Sequence, residues 1–168
     1  MSGDDYTCSR GTDTDTDTDT DTDTNTALDG TYSGTAHVAA QIPIEGDESF
    51  EYACLDALEL VVAHDQTDQI LGTTTCTVTP EPSTVTSSTD MGAMVIEVVG
   101  SIDDSADNYA FGTVSITLGI HAATHEWEGA FVETEEGLNL KGNFNGSFAI
   151  SIWSFDYDGN FDVTRPVE

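Results

Sequence analysis

Basic residues are nearly missing from this chain. Its 168 residues include 3 Lys and Arg against 32 Asp and Glu, a formal net charge of −29. So acidic a surface repels nucleic acid phosphates and anionic lipid head groups, and neither is expected as a partner. An active site built to hold anions would need cations that the chain lacks. Long apolar runs are missing too. None approaches the roughly 18 residues of a membrane span, so no transmembrane span is expected. The stretch from Met1 to Thr7 has no apolar core of the signal-peptide kind. Amphipathic helical periodicity is absent, which points away from helical folds. Cysteine, at 3 residues, and proline, at 4, are both scarce.

What is present begins with Thr12 to Thr24, a strict alternation that places Asp13, Asp15, Asp17, Asp19, Asp21 and Asp23 at every second position. A strand there would gather six like charges on one face, roughly 7 Å apart. That spacing is inside the roughly 8 Å Debye length at physiological salt. No apolar residue offsets the ordering entropy, so residues 1 to 26 read as a disordered head and acidic tether. Eight acidic residues precede Ala27, so the other 24 face only Lys141 and Arg165. The part from 27 to 168 is long enough for one domain with one core.

Cys8 followed by a Thr-Asp spacer resembles surface lipoproteins of myxobacteria-like Gram-negative bacteria. In that family an acylated cysteine precedes a low-complexity Asp/Thr spacer and a β-rich domain. The resemblance implies lipid anchoring through Cys8 and a place on the outer membrane surface or outside the cell.

From Leu28 onward the pattern has period two. Tyr32, Gly34, Ala36, Val38, Ala40 and Ile42 share a phase, and Pro43 marks the end of that strand. Phe50, Tyr52 and Cys54 form a second run. A corner at Leu55 to Ala57 leads to Leu58, Leu60 and Val62, and a turn over Asp65 to Gln69 enters Ile70 to Thr79. Pro80 to Asp90 reads as a surface loop. Met94 to Ile102 is a strand, and Val114, Ile116, Leu118 and Ile120 share one face of the next. Trp127, Gly129 and Phe131 follow on another. Leu138 to Ile152 stays in phase throughout, so one long strand is favoured over a hairpin at Asn145-Gly146. Asp158-Gly159 is read as a turn into Phe161 and Val163. About eight strands with short connections predict an all-β fold, an antiparallel, calycin-like barrel. The alternative is an immunoglobulin-like β-sandwich.

Few residues suggest chemistry. Cys54 and Cys76 are a candidate disulfide, although a regular turn would set Cys76 opposite Leu58 and leave Cys54 one strand beyond. His121 and His125, with Glu126 adjacent, lack the order of a zinc-hydrolase motif, and on a strand they stand about 13 Å apart. Asp103, Asp104, Asp107 and Asn108 form a candidate structural calcium loop, and no other cofactor is expected. Trp127, Phe131, Phe144 and Phe148 would line a ligand cavity if the barrel were hollow, and fill a core if it were solid. Glu126 and Glu128 are expected on a solvated face opposite Trp127. With no nucleophile elbow or phosphate loop, the expectation is a non-enzymatic, cell-surface or secreted β domain, a binding or structural module on a tether with an unidentified partner. The alternatives are a small-ligand carrier and a metal-dependent hydrolase.

Overall fold

The computed structural model describes residues 28–43, 49–63, 69–81, 92–103, 108–150 and 153–166. Nine strands run β1 Gly30–Pro43, β2 Ser49–Ala63, β3 Gln69–Thr77, β4 Thr79–Glu81, β5 Ala93–Asp103, β6 Tyr109–Leu118, β7 His121–Thr134, β8 Gly137–Ile150 and β9 Trp153–Pro166. Eight of them pair antiparallel with their neighbours in chain order, and β1 pairs with β9 as well as β2, closing an up-and-down barrel. The short β4 adds to the edge of β2, Ala53 facing Thr79. Closure leaves no second sheet, so the fold is the barrel and not the sandwich.

The period-two pattern sorts faces as the sequence implies. Tyr32, Leu58, Leu60, Ile70, Ile96, Val98, Val114, Ile116, Leu140, Phe161 and Val163 are essentially sealed from solvent. The outward positions of β7 to β9 carry Glu126, Glu128, Asn143, Asn145, Asp158 and Asn160, all exposed. The apolar interior is the reverse of a lipid-spanning barrel's polar lumen, while the outer face of β2, β3 and β5 carries Val61, Leu71 and Val99 abreast and exposed. On the outer face of β8 and β9, Lys141 pairs with Asp162 at 2.7 Å. The ammonium and a hydrogen bond from Asn139 together hold the Asp162 carboxyl below its usual range.

Five expectations are corrected. The loop does not start at Pro80, since Pro80 and Glu81 belong to β4 and face Tyr52 and Glu51; residues 82–90 lie outside the described residues. Leu55 to Ala57 is no corner between strands, because β2 stays in register with β1 from Val62 opposite Gly30 to Ser49 opposite Pro43. The break is instead in the pairing with β3, which ends at Glu59 opposite Thr73. There Thr74 donates its hydroxyl to the Ala57 carbonyl at 2.6 Å, and Leu55, Asp56 and Ala57 are all exposed. Cys76 accordingly does not pair opposite Leu58; it faces Met94 of β5. Asp158-Gly159 is not a turn either, for β9 runs through it and pairs with β8 from Trp153 to Pro166. Gly159 is there because a Cβ would run into the Phe144 ring. Ile120, expected inside, is 95% exposed, since it lies in the two-residue turn with Gly119 at φ 62°. The long strand at β8 holds: Asn145-Gly146 stays extended.

Two interior tyrosines report on the packing. Tyr32 donates its hydroxyl to the Leu28 carbonyl at 2.7 Å, with the Arg165 guanidinium over its ring at 5.5 Å. Tyr157 is 4% exposed. Burial pushes both phenols up from 10.0 to about 12, in Tyr32 against the opposing pull of Arg165. A folded pKa above the unfolded one gives stability that is complete below pH 10 and lost as pH climbs towards 12. The effect is on the order of 2 kcal/mol for each ring. Urea midpoints should therefore hold steady up to about pH 10 and fall beyond it, and Tyr157→Phe should flatten the fall. A midpoint that does not move between those limits would show that neither phenol is buried as described.

Candidate functional site

The residues singled out for a ligand cavity all enter the core. Trp127, Phe131, Phe144 and Phe148 are between 2% and 5% exposed. Their rings meet others edge-on or tilted, Trp127 on Phe161 at 5.0 Å and Phe148 on Phe155 at 5.8 Å. The interior space beside Val38, Tyr52, Cys54, Met94, Phe148 and Tyr157 amounts to about 20 Å³. That is room for about one water, whereas small-molecule pockets run to roughly 300–1,000 Å³.

Cys54 and Cys76 form a disulfide with Cα atoms 5.7 Å apart. It spans the place where β2 and β3 are not laddered together. The expected obstacle of distance disappears because Cys54 lies on β2 itself, the strand next to β3, and not one strand beyond. His121 and His125 both lie on β7. The His121 ring sits 6.4 Å from Phe148 and that of His125 5.3 Å from Tyr157. His37 stands on β1, opposite Asn160. Among the described residues, no three His, Cys, Asp or Glu side chains converge to hold a metal ion. Asp103 ends β5 and Asn108 takes a left-handed φ of 60°. Asp104 and Asp107 of the proposed calcium loop lie outside the described residues, as do Cys8, His64 and the Thr-Asp repeat.

Among the described residues a far larger concavity is on the outside. A groove of about 1150 Å³ crosses β6 to β9. Its position follows from two features of the sheet. The ladder between β7 and β8 ends at Trp127 opposite Phe144, although β7 extends back to His121 and β8 forward to Ile150. Beyond that point the strands part, and the His125 ring lies against Gly146 in the opening. Second, Gly112, Trp127, Phe144 and Gly159 line the groove only at floor level, being in the inward phase, so the outward side chains at the alternate positions form its walls.

Register builds the groove's middle row. Phe111 faces Glu128, Glu128 faces Asn143, and Asn143 faces Asn160. Four strands thus set four side chains abreast, over roughly 14 Å at ordinary strand spacing. Glu126 and Asn145 stand on the row beside it, where Asn145 faces Asp158. At the β6 end the rings of Tyr109 and Phe111 stack, centroids 6.1 Å apart and planes 23° from parallel. The Tyr109 hydroxyl donates to Glu128 Oε2 at 2.9 Å, which fixes the ring and raises the phenol's pKa. The lining offers amide donors, amide and carboxylate acceptors, and a flat aromatic surface.

Glu126 and Glu128 do share a solvated face opposite Trp127, as their spacing implied. The groove itself had no signal in the sequence. Asn143 and Asn160 are legible as outward positions, but only the register between strands reveals that they stand in line with Phe111. The chain matches no protein-family model and no curated protein.

Proposed function

We propose that this chain is a non-enzymatic binding module of the cell surface or secreted space, its barrel carried on the Thr-Asp tether and its partner taken on the outer groove. The observation that carries the reading is the contrast in space, about 20 Å³ in the interior pocket beside Tyr52 and Phe148 against about 1150 Å³ across β6 to β9. The carrier reading needs the interior for its ligand. A surface module needs only a rigid outer face, and a closed barrel supplies one. The acidic tether supports presentation away from a surface, and Cys8 is placed to anchor it.

Two measurements on one preparation test this, using the native chain expressed with whatever precedes Met1 in its reading frame. A diacylglyceryl-sized mass increase on a chain beginning at Cys8, recovered with membranes, is the result for an anchored module; an unmodified soluble chain would remove the anchor. The same protein should bind a fatty acid probe no better than a reference protein. Stoichiometric uptake of that probe would replace the surface module with the carrier.

A further inference from the structure

We infer that the groove takes a neutral polysaccharide, a reading that rests on the outer-face binding proposed above. The side chains of a cationic peptide would use acceptors alone and leave the side-chain N–H groups of Asn143, Asn145 and Asn160 to whatever backbone carbonyls come within reach. Sugar hydroxyls donate and accept at once, so they match amides and carboxylates together. The amides of Asn143 and Asn160 sit side by side across β8 and β9, with Glu128 next in the same row. That is the arrangement for neighbouring hydroxyls of one ring.

The stacked pair at the β6 end supplies what the amides do not. Pyranose rings present apolar C–H faces, which lie flat on aromatic surfaces. Tyr109 and Phe111 offer nearly parallel rings, and Phe111 is 45% exposed. The bond from Tyr109 to Glu128 holds that platform before any ligand arrives, which lowers the ordering cost of binding. The row from Phe111 to Asn160 matches the length of a short oligosaccharide.

Charge sets the specificity. Glu126, Glu128 and Asp158 line the groove and neither Lys141 nor Arg165 does. Sulfated and uronate chains would meet like charge there, which disfavours them. Neutral glycans, N-acetylated ones included, would not.

Affinity electrophoresis and calorimetry of the full chain test the inference, with cellohexaose, laminarihexaose, mannohexaose, chitohexaose, a heparin hexasaccharide and hexalysine as probes. At least one neutral or N-acetylated hexasaccharide should bind at millimolar concentration or better, and heparin should not. Phe111→Ala and the double change Asn143→Ala with Asn160→Ala should each weaken that binding about tenfold, the size of losing one good contact of about 1.4 kcal/mol. Thr73→Ala on β3 should leave it unchanged. All three changes are at exposed positions, so thermal midpoints should stay within a few degrees and separate lost binding from lost folding. Failure of every sugar overturns the inference. If hexalysine alone binds and Phe111→Ala weakens it, the sugar is wrong but the groove as binding face stands. Sugar binding that neither groove variant affects would overturn both.

Discussion

Trp127→Ala should cost the barrel about 4 kcal/mol, within the roughly 3–5 kcal/mol range for truncating a buried aromatic ring. The indole is 2% exposed and meets Phe161 edge-on at 5.0 Å with an interplanar angle of 75°. It lies against Gly100 and Gly112, where a Cβ on either would collide with it. Those glycines have no side chain to move into the space, so the cavity should persist. The indole Nε1–H also donates to the Val99 carbonyl at 3.0 Å, a bond worth about 1 kcal/mol net. Trp127→Phe separates the two contributions, since it keeps most of the ring volume and loses the donor. Urea unfolding followed by circular dichroism measures both, and a cost below about 1 kcal/mol for the alanine variant would mean that the core closes around the gap.

The second large effect is at the disulfide. Its closed loop has a sequence separation of 22, which in the chain-entropy account contributes about 3 kcal/mol. Cys54→Ser with Cys76→Ser should lower stability by about that amount. Both positions are nearly sealed, at 1% and 3% exposure, so the serine hydroxyls add a desolvation cost. Cys54→Ala with Cys76→Val avoids it and isolates the cross-link. A loss that appears with serines and vanishes with the apolar pair would assign the effect to burial, and a loss common to both would assign it to the bridge. Reducing agent alone should reproduce the second result in the unaltered chain.

How much of this was legible beforehand depends on which physical signal each feature leaves. Inward and outward positions follow from period two, because every strand must bury one face. That signal found β1, β5, β7 and the whole of β8, and with them the barrel. The same signal was overruled at Asp158-Gly159, where Tyr157, Gly159, Phe161 and Val163 keep one phase through what looked like a turn. A glycine that bends the chain and one that yields space to Phe144 from the adjacent strand look alike in one dimension. Leu55 to Ala57 misled in another way. The in-phase position there is Asp56, which is exposed, because β3 leaves β2 at that point. The groove was invisible for a related reason. Its row of Phe111, Glu128, Asn143 and Asn160 exists only in the pairing between strands, which no single strand encodes.

The seam where the barrel closes has a consequence for how the protein is made. Asp29 accepts a hydrogen bond from Arg165 across 136 residues of sequence, and Ser33 faces Thr164 in the β1–β9 pairing. On the ribosome, β1 can pair with β2 as soon as both have emerged, but its other edge has no partner until β9 has emerged as well. A growing chain therefore carries an unsatisfied strand edge while the six intervening strands of the barrel are made, the kind of edge that recruits other chains. Completion depends on contacts of long sequence separation, which places folding in the millisecond-to-second class of β-barrels. Through that interval, strong mutual repulsion between nascent acidic chains keeps the waiting edge from finding the wrong neighbour.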